Sequence, residues 1–112
     1  MKLSTETLPE GATKVILDGL LDIAGSQEID LRFSVIAGAN KAVIVDLSAV
    51  TFVASIGIRT LLTGAKAIQS RGGKLVLLNP SAAVEKVLKV TGVDTLMPIF
   101  HDSVAAIQAV SL

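Results

Sequence analysis

Cysteine, tryptophan and tyrosine are absent from this 112-residue chain, and three phenylalanines are its only aromatic side chains. Without cysteine there is no disulfide framework, no thiolate metal site and no thiol nucleophile. Such a chain suits a reducing compartment, and a cytoplasmic location is expected. With so few aromatic rings, the core has to be built from Val, Ile, Leu and Ala. No charge of one sign prevails: ten basic residues balance ten acidic ones. That excludes a nucleic-acid binder working through a large basic surface. The first residues, Met1 to Gly11, carry Glu6 and Glu10 and no apolar segment, so no signal peptide is expected. Long hydrophobic runs are also missing. Ala42–Ile58 comes nearest, but Asp46 interrupts it and Ser48, Thr51 and Ser55 dilute it, so no membrane insertion is expected. Repeats, linkers and low-complexity tracts are lacking too, and the length fits one domain, 1–112.

The stretch that organises the chain is Ala42 to Ser70. It opens with an unbroken apolar run, Ala42-Val43-Ile44-Val45, which reads as a buried strand ending at Asp46. A turn-like segment follows. From Ile58 the large apolar residues recur as Ile58, Leu61, Leu62, Ala65 and Ile68, the spacing of one helix face. Ser55 stands where the period changes, and is predicted to cap the helix.

Around this centre the pattern alternates. Ser4–Leu8 reads as an edge strand closed by Pro9-Glu10-Gly11. Ala12–Leu17 reads as a second strand, interrupted by a bend at Asp18-Gly19. Asp22–Gly25 reads as a loop, and Ser26 as the cap of an acidic helix start. That helix is predicted to run to about Ala37, with Ile29, Phe33 and Ile36 inward. After the central helix, Lys74–Leu78 is a strand, Ala82–Val90 a helix stopped by Thr91-Gly92, and Leu96–Phe100 a last strand weakened by Pro98. Ser103 is predicted to cap a helix through Ala109, with Val104 and Ile107 inward. The order implies an α/β fold: a mainly parallel or mixed sheet of four to five strands packed with about four helices. Sites in such sheets lie beyond the carboxyl ends of the strands. That rule brings Asp22, Asp46, Ser48, Ser55 and Asn79 to one end.

Two chemistries are open to Ser55. A hydroxyl at a helix start is a plain cap, and it is also a place where a phosphoryl group meets unpaired N–H groups and the positive helix end. Asp46, at the end of a buried strand, is expected to accept loop N–H bonds; only Asp22 could join it as a metal ligand, and neither metal nor cofactor is expected. A Ser/His/Asp hydrolase using Ser55, His101 and Asp102 fits poorly. The nucleophile elbow needs Gly-x-Ser-x-Gly, and Val53-Ala54-Ser55-Ile56-Gly57 lacks the first glycine. Arg59 and Lys66 fall on the polar side of the helix, as a solvated face or part of a partner surface.

Val45-Asp46-Leu47-Ser48-Ala49-Val50-Thr51-Phe52-Val53-Ala54-Ser55-Ile56-Gly57-Ile58 resembles the signature of STAS domains, in particular the bacterial anti-sigma factor antagonists. The stretch Val87–Phe100, with its Leu-bearing helix, Thr91-Gly92 and short strand, resembles that family's tail. The resemblance covers nearly the whole chain. It implies a small α/β domain without catalysis of its own, which binds an anti-sigma factor, often a serine kinase. The kinase phosphorylates one serine at the start of the central helix and a PP2C-type, metal-dependent phosphatase resets it. Ser55 matches that phosphoacceptor. The implied partner surface around it takes in Asp22, Ser48, Val53, Ala54, Ile56, Gly57 and Arg59. The family commonly places Asp before the phosphoacceptor and Ser or Thr after it; here Ala54 and Ile56 make the site more apolar. Other members are unphosphorylated subunits of scaffolds or lipid-transport complexes, which is the alternative expectation.

Overall fold

The computed structural model describes residues 1–111. In chain order it contains β1 (Lys2–Thr7), β2 (Thr13–Leu21), α1 (Ile23–Ala39), β3 (Ala42–Val53), α2 (Ser55–Ser70), β4 (Lys74–Leu78), α3 (Ala82–Val90), a 3-10 turn (Val93–Thr95), β5 (Ile99–Phe100) and α4 (Ser103–Val110). The strands form one sheet in the order β1-β2-β3-β4-β5. β1 is antiparallel to β2 and every other pairing is parallel. The mixed α/β architecture expected from the sequence is the one observed.

Burial explains the layering. The inward residues of β2 and β3, Val15, Leu17, Leu21, Val43, Val45, Leu47, Val50 and Val53, pack with Ile29 and Phe33 of α1, Ile58, Leu61, Ala65 and Ile68 of α2, and Val84 and Leu88 of α3. The other face is smaller. Ala12, Ile44, Val76 and Leu78 pack with Ala106 and Val110 of α4, and partly buried Leu8, Phe100, Ile107 and Ala109 close the cluster. Phe33 and the aliphatic residues fill the main layer, as the scarcity of aromatics requires.

Several boundaries differ from the sequence reading. β3 does not stop at Asp46 but runs twelve residues to Val53. It pairs with β4 only as far as Asp46↔Leu78; beyond that, Ala49–Val53 pairs with β2 alone. β2 likewise passes through Asp18-Gly19 instead of bending away. Register shifts at Ile16/Asp18 and Gly19/Leu20 absorb the irregularity, and Gly19 takes φ +121° there. The result is a two-stranded parallel ribbon that overhangs the sheet. Propensity missed it because β3 carries the extra residue at both shifts and so loses strict alternation.

Caps were also misplaced. Asp22 caps α1, its Oδ1 accepting from Gly25 N at 2.8 Å, so Asp22–Gly25 is a helix start and not a loop. Ser26 lies one turn inside, 3% exposed. Asp102, not Ser103, caps α4, accepting from the Val104 and Ala105 N–H groups. Val104 is 60% exposed instead of inward, because α4 covers the sheet through Ala106 and Val110. The last strand shrinks to Ile99–Phe100, since the chain from Val93 to Thr95 closes into a 3-10 turn. β4, α3 and the span of α2 match the reading from sequence.

Candidate functional site

The end of β2 is the anchor of the site. Both α1 and α2 begin against it. A Cβ on Gly25 would stand 1.9 Å from the Leu20 carbonyl oxygen, and one on Gly57 would stand 2.5 Å from both the Leu21 Cγ and its carbonyl oxygen. Only glycine lets the two helix starts lie this close to the strand. The Ala54 N–H donates to the Leu21 carbonyl at 3.0 Å, which fixes where α2 begins.

Ser55 is the first helical residue of α2, and the cap position belongs to Ala54. This corrects the expectation that Ser55 is the cap. Ala54 offers no side-chain oxygen, and no side-chain cap bond forms. The N–H groups of the first turn are therefore left without a side-chain acceptor at the cap. The turn also carries no acidic residue. Ser55 is exposed, Ala54 and Ile56 are half-buried, and Val53 and Gly57 are buried. A hydroxyl is thus held at the electropositive end of a sixteen-residue helix, with no carboxylate in its turn.

Three large apolar side chains not singled out from the sequence belong to this end of the molecule. Leu20 and Phe52 are cross-strand partners on the overhanging ribbon, 49% and 51% exposed. Ile23, in the first turn of α1, is 65% exposed. The outward positions of the ribbon would have been legible only with its bulges known. Leu20 and Phe52 alternate with the inward Leu21 and Val53, so they stand exposed at the end of the ribbon on the side away from the α1–α2 layer.

The other expected site residues divide. Asp22 is half-buried and spends one carboxylate oxygen on the α1 cap. Arg59 is exposed one turn beyond Ser55 and lines a cleft of about 230 Å³ with Ser26, Asp30, Ile56 and Thr60. Ser26 Oγ has no hydrogen-bond partner among the described residues. Ser48 is at the same end but on the opposite face of the sheet. Its N–H and Oγ donate to Asp46 Oδ1 at 2.9 and 2.5 Å, and Asn79 Nδ2 donates to its Oγ at 3.3 Å. Asp46 also meets Lys14 Nζ at 3.5 Å. So Asp46 accepts an N–H bond as expected, but from Ser48 within β3 and not from a loop, because the strand runs on past it.

His101 is engaged elsewhere. Its Nε2 lies 2.6 Å from Glu85 Oε1 on α3, and Glu85 also pairs with Lys89 at 2.9 Å. The Lys89 hydrogen bond, followed by that of His101, holds the Glu85 carboxyl below its usual value, and Glu85 in turn raises Lys89. With Asp102 spent on the α4 cap, Ser55, His101 and Asp102 do not form a hydrogen-bonded triad. Among the described residues no cluster of three metal-ligating side chains occurs, and no helix is long and apolar enough to cross a membrane.

Comparison with known proteins bears on the fold and the family. BtrV of Bordetella bronchiseptica, whose name places it among the anti-sigma factor antagonists, is 24% identical over 110 residues, covering 97% of this chain and 94% of that one. The fold matches the anti-sigma factor antagonist SpoIIAA in its unphosphorylated form at a TM-score of 0.79, with 24% identity and 96% of each chain covered. The phosphorylated form of the Bacillus protein matches at 0.72 and 23% identity, over 96% of this chain and 99% of that one. An anti-sigma factor antagonist of Mycobacterium paratuberculosis matches at 0.85, with 21% identity over 97% of this chain and 92% of the other. The sequence model of the STAS domain covers residues 6–106, nearly the whole sheet and its helices, and on that match the chain belongs to the STAS domain family.

Proposed function

We propose that this chain, as a single domain over 1–112, is an anti-sigma factor antagonist of the cytoplasm, a binding protein and not an enzyme, switched by phosphorylation of Ser55. The observation that carries the reading is the position of Ser55: exposed, first in α2, in a turn with no acidic residue and no side-chain cap. Its Oγ can reach the γ-phosphorus of ATP held by a serine kinase, losing its proton as ADP leaves. The product phosphoryl group would find the unpaired N–H groups of the first turn. The kinase would be the anti-sigma factor itself, and a PP2C-type phosphatase would remove the group. Unmodified, Ala54 and Ile56, with the exposed Leu20, Ile23 and Phe52 of the same end, offer an apolar docking surface, rimmed by Asp22 and Arg59, while Val53 supports it from the core. About two negative charges placed there disfavour docking by desolvation and by repulsion of acidic partner groups.

Incubation with the native kinase and ATP, followed by peptide mapping by mass spectrometry, tests the site. Phosphate on Ser55, absent in Ser55→Ala, is expected; phosphate on another residue, or none, contradicts the reading. The apolar neighbours Ala54 and Ile56 favour one second reading, an unphosphorylated STAS subunit of a scaffold or lipid-transport complex. Capture of a stable complex from the native cell whose affinity is the same for wild type and Ser55→Asp would decide for it.

A further inference from the structure

The chain has three arginines, and two of them hold backbone. Arg32 donates to the Leu3 carbonyl at 2.8 Å, and Arg71 donates to the Ala37 and Asn40 carbonyls. Arg59 does neither. The ion pairs among the described residues join Met1 to Glu28, Lys14 to Asp46, and Glu85 to Lys89 and His101, and none includes Arg59. Its own helix offers no carboxylate. An exposed guanidinium is thus kept on α2 without an anion to bind.

Its position selects one. Ser55 precedes Arg59 by four residues, about 40° away around the helix axis and about 6 Å along it. Helical side chains lean toward the N-terminus, so Arg59 lies over the turn that Ser55 opens. Both residues are exposed. The acidic groups of α1 at this end are Asp22, engaged with the Gly25 N–H, and Asp30, which lines the cleft that Arg59 also lines. Asp30 forms no ion pair with Arg59.

We propose that Arg59 is an intramolecular clamp for the phosphoryl group of Ser55. The inference rests on Ser55 as the phosphoacceptor and adds what the modification does within its own chain. A guanidinium meets two phosphoryl oxygens with two parallel N–H···O bonds, which a lysine in its place does not. An acid four residues before a base is the favourable order on a helix. A phosphoserine carries about two negative charges against the single charge of Asp30, so it draws Arg59 back toward Ser55 and away from the cleft. Phosphorylation then does two things at once. It adds an anion to the docking surface and removes the cation from its rim, so an acidic partner group that meets Arg59 in the complex loses its counter-charge.

The test installs phosphoserine at position 55 without a kinase, by ligation of a synthetic segment or by co-translational incorporation. Wild type, Arg59→Gln and Arg59→Lys are then titrated by phosphorus-31 NMR. A free phosphoserine takes up its second proton near about pH 6. The clamp favours the dianion, so the midpoint in wild type should lie about half a unit or more below that of Arg59→Gln. Arg59→Lys should fall between them. The gap should shrink at about 1 M salt, which screens an exposed pair. In the unmodified chain, Arg59→Gln should melt with wild type, since it removes no bond of the folded state. Equal midpoints in wild type and Arg59→Gln overturn the clamp, as does a gap that salt leaves unchanged. Either result leaves the switch itself to be judged by kinase-dependent phosphate on Ser55 and by the affinity of the anti-sigma factor.

Discussion

At the scale of single residues, two polar side chains at neighbouring helix starts exchange the roles their sequences suggest. Asp22, read as part of a loop, holds the first turn of α1 through the Gly25 N–H. Ser55, read as a cap, holds nothing in α2, because Ala54 is the cap residue. Removing a capping oxygen costs about 1 kcal/mol, whereas an exposed change away from such a bond stays within about 0.5 kcal/mol. Asp22→Ala should therefore lower the urea midpoint measurably and Ser55→Ala should leave it nearly unchanged. The contrast matters for function. A serine free of structural duty can be modified without unfolding its helix.

Glu85 allows a second prediction at this scale. Lys89 and then His101 hold its carboxyl lower in the folded chain than in the unfolded one. The unfolded chain thus binds the proton more tightly, so the stabilisation is present above the ordinary carboxylate value of about 4.5 and is lost as pH falls below it through the folded value. Glu85→Gln should melt lower than wild type near neutral pH, and the gap in Tm should close in acid. A gap that persists at the acid end would mean that Glu85 acts through packing instead.

At the scale of elements, the site is made by how closely two helix starts approach one strand end. Gly57 is the tightest joint that bears directly on Ser55. A methyl group there runs into the Leu21 carbonyl, which is backbone and cannot turn aside. Gly57→Ala should cost about 1–3 kcal/mol in denaturant unfolding and displace the start of α2. Gly38→Ala, where a Cβ meets nothing within 4 Å, is the matched control, expected to be neutral or slightly stabilising.

Much of the element order was legible before the structure. Lys74–Leu78 is a short, fully apolar run after Gly72-Gly73, and Ile58, Leu61, Ala65 and Ile68 repeat at helical spacing, so β4 and α2 could be read directly. The ribbon could not. Leu47, Val50 and Val53 all face the core, but the steps of three between them belong to bulged strand and look like turn in a linear reading. The same bulges hid the outward pair Leu20 and Phe52. Ser55 itself was legible as a site, though its relation to the cap was not, since that depends on where the Ala54 N–H finds its acceptor on β2.

At the scale of the whole molecule, apolar area is unevenly distributed. Exposed Leu20, Ile23 and Phe52 gather at the Ser55 end, while Leu31 and Val35 sit on the outer helix layer. On the proposed reading the first group meets the anti-sigma factor. Phe52→Ala and Leu20→Ala should each weaken that complex by about tenfold or more with little change in melting temperature. Loss of stability without loss of binding would instead assign the pair to the core.

The central claim is that one phosphoryl group on Ser55 separates bound from free. The direct measurement is the affinity of the anti-sigma factor for two forms of this chain, unmodified and carrying phosphoserine at position 55, by calorimetry at one ionic strength. The account predicts binding by the unmodified chain and a loss of about 100-fold or more in the phosphorylated one. Equal affinities would contradict it.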